Sequence, residues 1–286
     1  MTFIYALGGG LGHYTRARAL INTLNICGPV TLVVTQPTCG SLAGFGPELQ
    51  VLSPPKAMAM NPALLRQWLM QSLKQQLCRQ IVVDAFPAGL FGELCDFPFP
   101  EGVELLHVAR LLRWSKYQKV LQGRLPAYHC TYVVEALTAV HHQALAGCSQ
   151  TMLELTLQDP LPGPTMAIDR RDNTETPLWL IVHSGPEDEI LALLALAGSM
   201  AEEEGLQPKR LLLSPVRPAQ LPSDIDHIHA WPAQPWFELA DRIFTACGFN
   251  SMRQLLPYRH KHVFMPMERR FDDQFLRAAR ARECST

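Results

Sequence analysis

The sequence has no C-x-x-C cysteine pair, no basic stripe interleaved with aromatics and no apolar run of membrane-spanning length. Each absence removes a class of function. The eight cysteines stand at 27, 39, 78, 95, 130, 148, 247 and 284, a scatter that fits reduced, mostly buried thiols in a cytoplasmic protein rather than a disulfide frame or a zinc site. Basic and acidic residues nearly cancel, 25 against 26, so a nucleic-acid partner has no electrostatic support. The most apolar stretch, Ile190 to Ala197, falls far short of the about 20 residues that cross a bilayer, so no transmembrane segment is expected. No basic region precedes the first apolar run, which argues against a signal peptide. The histidine pairs His227-x-His229, His260-x-His262 and His141-His142 lack a third ligand at a recognisable spacing, and no metal site is expected from them.

What is present is an alternation. At 286 residues and 48% hydrophobic, the chain can bury one large core or two modest ones. Thr2 to Leu7, Val30 to Thr35, Ile81 to Asp84 and Val103 to Val108 read as buried strands, and Pro62 to Gln80 has helical composition. That order predicts a parallel sheet covered on both faces. Asp159-Pro160-Leu161-Pro162-Gly163-Pro164 breaks regular structure, and Arg170 to Thr176 is polar, which puts a linker over 160–176. After it, Leu178 to Val182 reads as a strand, His183 to Pro186 as a loop and Glu187 to Glu204 as a helix, with further strands at Leu211 to Leu213 and Ile225 to His229. The fold class expected is α/β: two tandem Rossmann-like domains, 1–165 and 176–286, with parallel sheets and a cleft between them.

Two turns carry the chemistry. Arg242-Ile243-Phe244-Thr245 leads into Ala246-Cys247-Gly248-Phe249-Asn250-Ser251-Met252-Arg253-Gln254, a strand-to-helix turn over Gly248 to Ser251. Such a turn offers backbone N–H groups and the positive end of a helix dipole to a phosphate, with Ser251 as the expected N-cap. At the other end, Gly8-Gly9-Gly10-Leu11-Gly12-His13 follows the first strand and precedes the helical Thr15 to Ile21. His13 is thereby placed at the ligand-binding edge of an open α/β sheet. A neutral imidazole there can take a proton from a hydroxyl.

The turn at Ala246 to Gln254 resembles the donor-binding motif of the GT-B nucleotide-sugar glycosyltransferases, His-Cys-Gly-Trp-Asn-Ser-x-x-Glu. It matches at Cys247, Gly248, Asn250 and Ser251, carries Phe249 in the Trp place, and departs at Ala246 and Gln254. Asp273-Gln274 matches the family's sugar-contacting Asp-Gln pair, and Lys261 to Pro266 its preceding apolar strand. The glycine run ending in Gly12-His13 matches the family's beginning. The chain is similar in layout to the lipid-II-forming N-acetylglucosaminyltransferases and the UDP-glycosyltransferases.

The resemblance implies a cytoplasmic glycosyltransferase of the hexosyltransferase type, without cofactor or metal in the reaction. His13 becomes the catalytic base. Donor contacts fall to Gly10, Gly12, Ser184, Gly185, Gly248, Asn250, Ser251, Gln254, Asp273 and Gln274. The donor implied is a UDP-sugar, with a dTDP-sugar tolerated because Gln254 replaces the ribose-binding Glu. The acceptor hydroxyl is left open, a lipid-linked one included. The residues add further expectations. Asp84, ending a strand on the same edge, is a candidate orienting carboxylate for His13, its rival role being to cap the turn Asp84 to Pro87. Arg16 opposes the helix dipole, which suggests contact with a phosphate or an acidic acceptor, while Arg18 belongs on a solvated face. The resemblance further implies that Trp231 or Trp236 stacks on the nucleobase, with core packing at a turn as the alternative, and that His183 stands in part for the histidine missing at Ala246. Relatives continue past the Asp-Gln pair into a helix that crosses back. Here 12 residues follow Gln274, so either that helix is shortened to Phe275 to Arg282 or domain closure relies on other contacts. Two alternatives stay open: a UDP-sugar hydrolase of the same architecture, and a nucleotide-sugar-binding subunit without catalysis.

Overall fold

A computed structural model of the chain describes residues 1–35, 45, 48–161 and 176–283. Most of the expected linker, together with Cys39 and Cys284, lies outside the described residues. The chain divides into two compact units: Met1–Pro160 with Arg270–Asp272, and Leu161–Arg269 with Asp273–Thr286. A single boundary at 165–176 does not foresee that Arg270–Asp272 belongs with the first unit.

The first unit is built on a seven-stranded parallel sheet of β1 (Thr2–Tyr5), β2 (Val30–Val33), β3 (Leu49–Leu52), β4 (Gln80–Asp84), β5 (Glu104–Ala109), β6 (Tyr128–Val133) and β7 (Ser149–Glu154). Helices α1 (Gly12–Thr23), α2 (Lys56–Ala59), α3 (Pro62–Lys74), α4 (Trp114–Tyr117) and α5 (Ala139–Ala146) connect them. Every residue of β1 and β2 is buried, as expected of strands covered on both faces. In α3, Leu65, Leu69 and Leu73 recur every fourth residue and pack on Phe3, Tyr5, Ile81 and Val83. Each such burial contributes about 1.5–3 kcal/mol. Asn61 caps α3 by accepting from the Ala63 and Leu64 amides, with Pro62 in the first turn. The helix ends at Lys74, short of the expected Gln80, because the apolar stripe stops at Leu73.

The second unit carries a five-stranded parallel sheet of β8 (Leu178–Val182), β9 (Lys209–Leu213), β10 (Ile225–Ile228), β11 (Arg242–Ala246) and β12 (His262–Met265). Its helices are α6 (Glu187–Glu204), α7 (Phe249–Gln254) and α8 (Gln274–Glu283). Ile190, Leu193, Leu194, Ala197 and Ala201 form the buried stripe of α6, against Trp179, Ile181 and Phe244. Gly205 closes α6 in the left-handed conformation, φ 65°.

The strand orders locate the functional edges. The first sheet runs β3-β2-β1-β4-β5-β6-β7, and the second β10-β9-β8-β11-β12. In each, the direction of winding reverses between the unit's first and fourth strands, β1/β4 and β8/β11. Loops leaving neighbouring strands there part to opposite faces and open a crevice at the carboxyl ends.

Candidate active site

At the β1/β4 switch point, β1 gives way to Leu7-Gly8-Gly9-Gly10-Leu11, with Gly10 at φ 76° and the Gly8 amide donating to Thr35 Oγ1 at 2.9 Å. Helix α1 begins at Gly12, three residues earlier than expected, so His13 rides in its first turn. The glycine run reads as loop by propensity, but Gly12 is already helical. His13 is 5% exposed and Asp84, the last residue of β4, also 5%.

His13 Nδ1 lies 2.7 Å from Asp84 Oδ2. Arg16, one turn along α1, grips the same carboxylate with Nε on Oδ1 at 2.6 Å and Nη2 on Oδ2 at 2.7 Å. Burial alone pushes the Asp84 carboxyl up, but Arg16 and His13 more than offset it and hold Asp84 well below the usual carboxylate range. An ionised carboxylate only accepts, so the imidazole contact is made by an N–H at Nδ1, and the lone pair of the neutral ring sits on Nε2. Burial lowers the His13 pKa, the bond to Asp84 opposes this, and the Arg16 charge lowers it again. Nε2 faces Gly8, where a Cβ would stand 1.9 Å from it. Beside the ring lie Phe86, its centroid 6.1 Å from that of His13, and Arg110, over Phe86 and bonded to Asp272 Oδ1 at 2.5 Å. Ala85, immediately after Asp84, has φ 64°, a conformation that costs a non-glycine residue about 1–3 kcal/mol and clusters at functional sites.

At the β8/β11 switch point two loops leave neighbouring strands. After β8, His183 Nε2 lies 2.7 Å from Glu189 Oε2, and Arg269 grips both Glu189 oxygens. Burial lowers the His183 pKa against the pull of Glu189. Glu187, Asp188 and Glu189 fill the first turn of α6, so this helix end presents carboxylates where an anion would otherwise be drawn. Ser184 is exposed and Gly185 half-buried in the loop. After β11, Gly248 takes the cap position of α7 in extended conformation, which makes Ser251 the third residue of the helix and not its N-cap. Arg277 of α8, 5% exposed, donates to the Cys247 carbonyl at 2.8 Å and brings a buried positive charge to this turn.

The remaining expected residues are placed as follows. Asn250 and Gln254 lie on α7, Gln254 at its last position. Asp273 accepts from the Leu276 amide at the start of α8, and Gln274, buried, accepts from the Met267 amide at 3.0 Å. Arg18 is buried, contrary to the solvated face expected, because that side of α1 is covered. Trp236 is buried in the core with Leu178, Leu180 and Phe237, which removes it as a stacking residue, while Trp231 is half-buried. His227 bonds to the Ser214 carbonyl, His262 to Thr245 Oγ1, and His141 stacks on Trp114 at 4.4 Å. Gly8, Arg110, Glu189, Arg269 and Arg277 were not singled out by sequence. Arg277 carried one faint signal, its place one helical turn beyond Gln274.

No family profile matches the sequence, and no curated protein is similar to it at a significant level. Solved structures are similar in fold. The glycosyltransferase of kitacinnamycin superposes with a TM-score of 0.59 at 13% identity, over 99% of this chain and 84% of its own. SsfS6, a glycosyltransferase of Streptomyces sp. SF2575 complexed with thymidine diphosphate, gives 0.53 at 11% identity, over 99% and 85%. A UDP-GlcNAc 2-epimerase of Methanocaldococcus jannaschii, in complex with UDP-GlcNAc and UDP, gives 0.52 at 9%, over 99% and 92%. The chain has the GT-B fold, two Rossmann-like units of parallel sheet and helix. Among the described residues, no helix is long and apolar enough to cross a membrane.

Proposed function

We propose that the protein is a glycosyltransferase that moves a sugar from a nucleotide-diphosphate sugar to an acceptor hydroxyl. The observation that carries this reading is the buried His13–Asp84 pair at the β1/β4 switch point, with Nε2 as the basic nitrogen. Nε2 takes the proton of the acceptor hydroxyl as its oxygen bonds to the anomeric carbon. The bond from that carbon to the diphosphate breaks, and the electron pair leaves on the phosphate oxygen. Asp84 steadies the imidazolium formed, in the manner of an orienting carboxylate.

The leaving diphosphate is assigned to the turn Gly248, Asn250 and Ser251, supported by the Arg277 charge behind it and by Gly248, where a Cβ would meet Ser251 Oγ at 4.0 Å and nothing nearer among the described residues. The α6 end is a weaker rival: its first turn carries Glu187, Asp188 and Glu189, and its nearby cation Arg269 is taken up by the Glu189 carboxylate. Ser184 and Gly185 stay in the assignment as a hydroxyl donor and a close-approach position. Gln254 is assigned to the ribose, Asp273 and Gln274 to the sugar, and Gly10 and Gly12 to the donor-side rim of the glycine loop. Neighbours of this fold are complexed with thymidine diphosphate and with UDP, which supports both UDP- and dTDP-sugars as donors.

The test is incubation with a panel of UDP- and dTDP-sugars, with and without acceptor alcohols, following nucleotide release and sugar product. Acceptor-dependent transfer is expected. Equal release of free sugar without acceptor would make the protein a hydrolase, and neither binding nor release would contradict an enzymatic role.

A further inference from the structure

Asp84 has two partners where an orienting carboxylate needs one. On α1, His13 and Arg16 are three residues apart and leave the helix on the same side, so both reach the end of β4. Arg16 is 3% exposed and lies with two of its nitrogens on the two oxygens of Asp84. Its Nη2 also lies 3.2 Å from His13 Nδ1. A phosphate or acceptor contact, expected from the sequence, does not suit a guanidinium turned inward in this way.

The charge count explains the arrangement. A buried His–Asp pair alone favours the imidazolium, since the protonated ring and the carboxylate then neutralise each other. With Arg16 present, neutrality is reached while the ring is unprotonated, and a proton on His13 leaves a net buried positive charge. Among the described residues the other charged group facing the ring is Arg110, which is paired with Asp272 and acts on the ring in the same direction as Arg16. We infer that Arg16 is a positioning residue: its fork fixes the plane of the Asp84 carboxylate and takes up its charge, which keeps His13 unprotonated with Nε2 open. A lysine carries the same charge but lacks the planar fork. The inference rests on the reading of His13 as a base, and adds what keeps it one.

The experiment is a histidine ¹⁵N NMR titration of the free protein in wild type, Arg16→Lys, Arg16→Met and Arg16→Met/Asp84→Asn, with His13→Gln to assign the signal. The wild-type ring should show the Nδ1–H tautomer and titrate below the ordinary histidine range. Removing a neighbouring cation should raise the His13 midpoint by about 1–3 pH units in Arg16→Met, less in Arg16→Lys. Adding Asp84→Asn should reverse the rise. An unchanged or lowered midpoint in both single variants overturns the inference, as does a rise that persists without Asp84. Should Arg16→Met not fold, Arg16→Lys against wild type decides by the same direction. No donor or acceptor is present, so the result bears on Arg16 whether or not sugar transfer is found.

Discussion

Gly8 and His13 exclude each other's side chains: a Cβ at Gly8 would stand 1.9 Å from His13 Nε2, the nitrogen assigned as the base. The glycine reserves the place of the reactive atom. Gly8→Ala is expected to displace the ring while leaving the second-unit residues assigned to the nucleotide untouched. A misplacement of this order can cost about 10²-fold in rate. Turnover should fall by that much with nucleotide affinity within a few-fold of wild type, measured by initial rates and titration calorimetry. Wild-type turnover in the alanine variant would remove Nε2 from the reaction.

Three buried histidines make stability depend on pH. Burial lowers His107 to about 4, and His141 and His262 to about 3, each from an ordinary 6.5. These folded values lie below the unfolded one, so the unfolded chain binds more protons between them. The stability contribution is complete above about pH 6.5 and is lost as pH falls toward 4 and 3, by at most about 1.4 kcal/mol per unit for each group. Urea unfolding should show a falling midpoint from pH 7 to 5. Both ring nitrogens of His141 lack a hydrogen-bond partner among the described residues. His141→Phe should therefore raise stability by about 1–3 kcal/mol and flatten the pH dependence. A destabilised variant with the wild-type pH slope would show that His141 is satisfied by an internal water.

Gln254 ends α7, the helix that follows the turn assigned above to the diphosphate. A carboxylate there accepts from two ribose hydroxyls, whereas the amide offers one carbonyl acceptor. Charge-assisted bonds contribute about 1.5–3 kcal/mol against roughly 0.5–1.5 for neutral ones. Gln254→Glu should tighten UDP more than dTDP. If calorimetry finds the same UDP-to-dTDP ratio in both proteins, Gln254 does not read the ribose.

Much of this fold is legible in the sequence because it is local. Leu178 to Val182 is an unbroken apolar run between turns, and Glu187 to Glu204 begins with acids and ends before a glycine, so both elements match the structure to the residue. The contact of Asp84 with His13 was readable as well, since both end up on the edge that strand order dictates. What escaped is the choice of charged partner, which strand order does not decide. Arg16 meets Asp84 across 68 residues, Arg110 meets Asp272 across 162, and Glu189 meets Arg269 across 80. No periodicity encodes such pairs. The helical start at Gly12 escaped because glycine has low helix propensity, and the buried Arg18 because a charge is read as solvated.

The most direct test compares wild type with His13→Ala, measuring rate and nucleotide affinity on the same preparations. Positioned proton transfer contributes about 10²–10⁴-fold, and the residues assigned to the nucleotide lie mainly in the second unit. The expected result is a loss of transfer of that size with nucleotide affinity nearly intact. Transfer at the wild-type rate would contradict the assignment of His13 as the base, and lost nucleotide affinity would make it a binding residue instead.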